Sequence, residues 1–278
     1  MVNKKTVKNE IVISGIGIHT GKTVEMKLKP SDSGQIVFRR TDVEDFEFPL
    51  DPVNVESQNC TMLKTKKGMI YTLEHLLAVL WVYGLDSLIV ELDGGEVPIM
   101  DGSAAPFAQA VRQAGIKDLS QKKNTIMITK SFTVKENDAS ISVLPDSELR
   151  VTYHIYFQHP NIKRQKLSIY VTQENFEREI ASARTFGFVE DVPDLRARGL
   201  ALGGSLKNAV VLDKERVISG PLRFPDEFVR HKILDFIGDL SLMRVPVIGH
   251  FIAKKAGHIL HLKMVKFLLD HPECWEKV

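Results

Sequence analysis

Between Leu73 and Tyr83 the chain is apolar on nearly every face of a helix, with Glu74 and His75 as the exceptions. A helix that is hydrophobic all round must be covered on every side. The run is far shorter than the ~20 residues needed to cross a bilayer, so it belongs inside a folded domain. It carries a glutamate and a histidine in with it, and those side chains meet protein or ligand rather than bulk water. Thr72 offers an N-cap and Gly84 a C-cap. A glutamate in the first turn also suits the helix dipole, and a lone His75 would fit a hydrogen-bonded core histidine.

Around this helix the pattern is mostly that of strands. Lys8–Ser14, Thr23–Lys29 and Ile36–Arg40 alternate or run apolar, with a turn at His19-Thr-Gly21. Ser87–Asp93 reads as a strand, and Asp101-Gly-Ser-Ala-Ala-Pro opens a second helix ending near Gly115. The short polar segment Leu119–Asn124 suits a linker. Strand patterns resume at Thr125–Thr129, Ala139–Leu144, Leu149–Phe157 and Leu167–Val171, and helices follow at Thr172–Ala181 and Pro225–Met243. Strands first and then helices, twice over, predicts an α+β protein of two similar layered domains, 1–121 and 122–278.

Composition narrows the function classes. A net charge of +2 over 278 residues gives no support for nucleic-acid binding. The lysines at Lys64, Lys66 and Lys67 and at Lys122 and Lys123 read as solvated loop faces. The start shows no apolar signal core and no stretch is long enough to span a membrane, so a cytoplasmic protein without membrane insertion is expected. Cys60 and Cys274 make no disulfide framework.

The later helix carries the second chemical signal. His231, Asp235, Gly238 and Asp239 share one face, and Ile233, Phe236, Ile237 and Leu240 point to the other side. A histidine and a carboxylate at i and i+4 can reach one metal ion, and Gly238 removes bulk beside them. Alone, this helix fits a solvated polar face. Together with Glu74 and His75 it completes a three-ligand set plus a base, the inventory of a zinc hydrolase. His258 stands in a Gly-His turn before Ile259-Leu-His-Leu. Thr185 and Phe186 lie in a small, apolar, loop-like stretch that suits packing as well as a site. Gly203-Gly204 matches no phosphate-binding fingerprint and reads as a turn.

These motifs, in order, resemble the family of zinc-dependent UDP-3-O-acyl-N-acetylglucosamine deacetylases of lipid A synthesis. The resemblance runs nearly end to end. It includes Gly15-Ile-Gly-Ile-His-Thr-Gly21, Thr72-Leu-Glu-His-Leu-Leu77, Glu96 to Phe107, Ala183-Arg-Thr-Phe-Gly-Phe188, Arg198 to Ser205 and Phe228 to Leu240. It implies two sheet-and-helix domains whose helices face each other, with the active site between them. It implies one catalytic zinc, with ferrous iron as the alternative occupant, on His75, His231 and Asp235. By the same resemblance Glu74 is the general base, and His258 is the general acid, oriented by Asp239. Thr185 bonds the developing oxyanion, with Lys232 placed near the charge. His19 and Lys255 match sugar-nucleotide positions, and Phe157 and Phe188 match aromatics near the nucleotide, with Phe186 on the same substrate side. Leu195, Ala201, Leu206 and Val211 fall where the family builds an apolar passage for the acyl chain. The partner implied is a UDP-linked acylated amino sugar, met by a monomer.

Departures are few. Ala256 and His261 stand where the family often has serine and asparagine, so His261 adds a titratable group. Cys60 falls where some members have a cysteine able to help hold an inhibitory second zinc. The chain ends soon after Trp275, which argues against tail-directed proteolytic control. A zinc hydrolase of another N-acetyl sugar or amide, or a non-catalytic binding protein of the same fold, are the alternatives.

Overall fold

The computed structural model describes residues 2–278. Its first half opens with β1 (Val2–Val7), β2 (Ile11–Ile16), β3 (Thr23–Pro30), β4 (Ile36–Arg40) and β5 (Phe46–Pro49). Next come β6 (Val55–Ser57), β7 (Thr61–Thr65), β8 (Gly68–Ile70), helix α1 (Glu74–Val82), β9 (Leu88–Leu92), helix α2 (Ala105–Ala114) and β10 (Ile116–Lys123). The second half contributes β11 (Ile126–Ile128), β12 (Phe132–Glu136), β13 (Ala139–Leu144), β14 (Leu149–Phe157) and β15 (Lys163–Tyr170). Helix α3 (Gln173–Asn175) widens into a π-helical turn through Ile180, followed by β16 (Phe186–Phe188), α4 (Val192–Ala197) and β17 (Val210–Leu212). Helix α5 (Glu227–Leu240), β18 (Val247–Lys254), α6 (His258–Asp270) and β19 (Trp275–Lys277) complete the fold.

The expected α+β architecture is present. One five-stranded sheet, β2-β3-β9-β4-β5, draws every strand from the first half. The seven-stranded sheet centred on β18 draws every strand from the second. Period-two alternation explains the first: β3 turns Val24, Met26 and Leu28 inward, and β9 answers with Leu88, Val90 and Leu92. On the opposite face Glu91 pairs with Lys29 at 2.6 Å and Arg39 at 3.2 Å.

Three local expectations are corrected. Leu119–Asn124 is not a loop linker, because most of it belongs to β10, which pairs antiparallel with β1. Its polar run fits a linker, but a ribbon strand exposed at Ser120, Gln121 and Lys122, with Lys123 tucked in against Asp86, has the same composition. Thr72 does not cap α1: it has φ 63° and its hydroxyl donates to Glu96 Oε1 at 2.9 Å. His258 does not end a turn but opens α6, a full helix. Gly84 does close α1. With φ 71° it lets its own N–H reach the Trp81 carbonyl at 3.0 Å and that of Leu85 reach Leu80 at 2.8 Å.

Helix α1 is buried as its sequence requires, and it lies directly against α5. Covering Leu76, Leu77 and Leu80 contributes roughly 1.5–3 kcal/mol each. That is enough to bring two polar side chains inside, even at the ~1–3 kcal/mol that an unpaired buried polar group costs. Gly238 makes the crossing close: a Cβ there would lie 2.1 Å from the Glu74 carbonyl oxygen. The helices therefore meet backbone to backbone where their polar residues sit.

Candidate active site

The N-terminal turn of α1 and the middle of α5 bring His75, His231 and Asp235 together, all buried. One ligand atom from each lies within 4.8 Å of the others. His231 Nε2 is 3.2 Å and His75 Nε2 is 3.7 Å from Asp235 Oδ1. A tetrahedral ion with bonds near 2.0–2.1 Å sets its ligand atoms about 3.3 Å apart, so the spacing fits. The donor chemistry fits as well. His231 Nδ1 donates to the Ala183 carbonyl at 3.1 Å, which leaves Nε2 as the free lone pair. Burial, with His75 and Lys232 nearby, pulls the His231 pKa down to about 3 against the pull of Asp235, so the ring is neutral.

Asp235 divides its oxygens. Oδ2 accepts from Lys232 Nζ at 2.8 Å, while Oδ1 is buried without a hydrogen-bond partner among the described residues. A buried carboxylate oxygen left bare and aimed at two imidazole nitrogens is the mark of a cation site. Burial works against the Asp235 charge, but His231 and Lys232 hold its pKa well below the usual carboxylate range. Lys232 keeps its proton because that carboxylate outweighs its own desolvation. His75 Nδ1 also has no partner among the described residues.

Beside this set stands an acid–base pair. Glu74 Oε2 accepts from the Thr61 backbone N–H at 3.0 Å, and Oε1 faces His258 Nε2 at 3.8 Å. Burial raises the Glu74 pKa, opposed by His258 and His75. His258 Nδ1 donates to Asp239 Oδ2 at 2.7 Å. Desolvation would lower the His258 pKa, but the Asp239 charge and hydrogen bond, with Glu74 and Asp235 behind them, push it up to about 9. The Thr61 hydroxyl bonds Asp239 Oδ1 and lies 3.2 Å from His258 Nδ1.

A cavity of about 800 Å³ opens from this centre, with Glu74, His75 and Lys232 in its wall. It also takes in His19, Thr185, Phe157, Phe186 and Phe188, and then Leu195, Ala201, Leu206 and Val211. The three phenylalanines form one aromatic cluster, Phe157 lying 5.7 Å from Phe186 and 5.9 Å from Phe188 between centroids. Thr185 is fixed by its N–H on the Gly102 carbonyl at 2.8 Å. Burial lowers the His19 pKa, against Glu96. Lys255 stands apart from this group: its ammonium pairs with Asp138 at 2.6 Å on an exposed surface. Cys60 is buried near Glu74, and burial holds its thiol pKa well above the usual value.

Several participants escaped the sequence reading. Thr61 bonds both Glu74 and Asp239, yet its neighbour Cys60 drew the attention. Glu96 is fully buried and accepts from the N–H groups of His19 and Thr20, both at 2.8 Å, and from two threonine hydroxyls. It thereby anchors the turn that carries His19. Glu227, one turn before His231, grips the Arg184 guanidinium at 2.8 Å and the backbone N–H of Arg184 at 3.0 Å, steadying the segment that carries Thr185. The one available signal was spacing: Glu227, His231, Asp235 and Asp239 recur every fourth residue.

Comparison with known proteins identifies the family. A family model described as UDP-3-O-acyl N-acetylglycosamine deacetylase matches residues 4–270. A protein of Thermodesulfovibrio yellowstonii named UDP-3-O-acyl-N-acetylglucosamine deacetylase is 44% identical over 278 residues, covering 98% of this chain and 94% of its own. Proteins of the same name from Geotalea uraniireducens and Myxococcus xanthus are 42% and 44% identical. They cover 99% of this chain in both cases, and 91% and 89% of their own.

Proposed function

The chain belongs to the UDP-3-O-acyl N-acetylglycosamine deacetylase family, and we propose that its site works on the family substrate as follows. The enzyme hydrolyses the N-acetyl group of UDP-3-O-acyl-N-acetylglucosamine and releases acetate, a step of lipid A biosynthesis. His75, His231 and Asp235 hold one divalent ion, zinc by the borderline-soft character of a two-imidazole, one-carboxylate set. When bound, zinc supplies the positive charge that polarises the amide and acidifies water.

The chain's own groups move the protons. Glu74, its pKa raised by burial, takes a proton from the attacking water as the new C–O bond forms. His258 is protonated at neutral pH and gives its Nε2 proton to the sugar nitrogen as the C–N bond breaks. Asp239 keeps that imidazole in place through Nδ1. Thr185 and Lys232 stand at the cavity wall where negative charge develops on the carbonyl oxygen. His19 and the cluster of Phe157, Phe186 and Phe188 receive the sugar nucleotide. Leu195, Ala201, Leu206 and Val211 receive the acyl chain.

The observation that carries this reading is one constellation. A histidine held protonated by a carboxylate at 2.7 Å faces a buried glutamate across 3.8 Å, beside a three-ligand cluster with a bare oxygen. Metal analysis of the purified protein, coupled to an acetate-release assay on the acylated substrate, tests it. Acetate release that survives removal and exclusion of metal defeats it.

A further inference from the structure

His261 has no part in the reaction as proposed, and its two ring nitrogens face Asp239 and Tyr153 rather than His75, His231 or Asp235. It is nonetheless fully buried, one turn of α6 beyond His258 and on the same face. Both rings present Nδ1 to one atom: Asp239 Oδ2 lies 2.7 Å from each. An ionised carboxylate only accepts, and each of its oxygens carries two lone pairs. Two imidazole N–H groups therefore fill Oδ2, while the Thr61 hydroxyl holds Oδ1.

On its far side His261 is pinned in turn. Nε2 lies 2.9 Å from the Tyr153 hydroxyl, whose one proton is within reach of both that nitrogen and the Ala256 carbonyl, also at 2.9 Å. A line of polar contacts thus runs from the turn before α6, through β14, back into α6 and across to α5. It passes among apolar neighbours such as Phe236, whose ring centroid is 5.2 Å from that of His261. An apolar side chain would pack in such a place without a polar group to satisfy.

The carboxylate torsion of an aspartate is soft, so few donors leave it free to rotate. Here rotation has somewhere to go. The Thr61 hydroxyl is 3.2 Å from His258 Nδ1 and competes with Asp239 for that N–H. We propose that His261 is a positioning residue for His258: its N–H on Asp239 Oδ2 holds the carboxylate in the rotation that keeps the other lone pair on His258 Nδ1, and so keeps His258 Nε2 aimed at the leaving nitrogen. This rests on the reading of His258 as proton donor given above.

Two substitutions separate this role from packing. In His261→Asn the amide nitrogen sits as many bonds from Cα as Nδ1, so it keeps the donor to Asp239 and gives up Tyr153. In His261→Gln the amide nitrogen reaches the Nε2 position, so it keeps Tyr153 and gives up Asp239. With KM and metal content unchanged, His261→Gln lowers kcat about 10–100-fold and His261→Asn recovers most of that loss. Nitrogen NMR of the His258 ring reads the same contrast without turnover: the Nδ1–H signature persists in the parent and in His261→Asn and weakens in His261→Gln. Equal losses in both variants, a larger loss in His261→Asn, or a His261→Gln enzyme as fast as the parent overturns the proposal. A parent protein that releases no acetate defeats the reading of the site itself, a result distinct from any ordering of the variants.

Discussion

Replacing Gly238 by alanine sets two effects against each other. In an ordinary helix interior the change stabilises by roughly 0.5–1 kcal/mol, because glycine loses more backbone entropy on folding. Here the added Cβ would lie 2.1 Å from the Glu74 carbonyl oxygen, 2.8 Å from its carbonyl carbon and 2.9 Å from its Cα. All three are backbone atoms, so no rotamer relieves the contact. Ordinary contact needs about 3.5 Å, so α1 and α5 must part by roughly 1.4 Å. Overpacking of this kind costs about 1–3 kcal/mol, which outweighs the propensity gain. The larger effect is on the site. Glu74 and His75 ride on α1, His231 and Asp235 on α5, and a misplacement of about 1 Å is enough to cost ~100-fold in rate. Gly238→Ala is therefore expected to lose at most a few kcal/mol of stability in denaturant melts, to bind metal more weakly in equilibrium dialysis, and to lose about two orders of magnitude in kcat/KM. A variant more stable than the parent, with full metal occupancy and unchanged turnover, would refute the claim that the crossing sets the site.

Three further outcomes follow from the geometry. His231→Ala loses most of its bound metal by elemental analysis while the chain still folds; full occupancy in that variant would reassign the ligand set. The rate rises with pH as Glu74 ionises, at a pH above the usual carboxylate range because burial raises its pKa, and falls as His258 loses its proton near pH 9. Glu74→Ala removes the acidic limb of that profile with most of kcat, and a near-normal turnover would displace Glu74 as the base. A substrate without the acyl chain loses much of its kcat/KM, since each buried CH₂ contributes roughly 0.8 kcal/mol. Val211→Trp then penalises long chains more than short ones, and equal turnover of chain-free UDP-N-acetylglucosamine would point to a general sugar deacetylase.

What could be read from the sequence was set by where each signal is stored. The burial of α1 was legible because an apolar run with no solvated face leaves a helix nowhere else to go. Four strands of the five-stranded sheet, β2, β3, β4 and β9, were legible because one face is solvated, so Lys29 and Glu91 alternate with Leu28 and Val90, whereas the short edge strand β5 carried too little pattern to read. The ribbon of β1 and β10 was not, because a strand exposed at residues 116–118 and 120–122 has the composition of a loop. Helix α6 was missed for a related reason. Its first turn follows Gly257, and a Gly-His pair at the end of a strand has the composition of a turn.

Helix α5 shows the limit most sharply. Its residues 227, 231, 235 and 239 make a polar stripe that, by pattern alone, belongs in water, yet all four are buried. Pattern gives the spacing of a stripe, and spacing is a local property. What makes burial tolerable is the set of partners, all from outside the helix: Arg184 for Glu227, the Ala183 carbonyl for His231, and Thr61, His258 and His261 for Asp239. Asp235 has Lys232 on one oxygen and, among the described residues, no hydrogen-bond partner on the other. The stripe's polar atoms are thus held by partners, save Asp235 Oδ1 and the His231 Nε2 lone pair, which face each other. A buried carboxylate oxygen kept bare in the middle of a saturated network is costly unless something positively charged belongs there. That gap, rather than the presence of histidines, is what separates a metal centre from a well-bonded polar core.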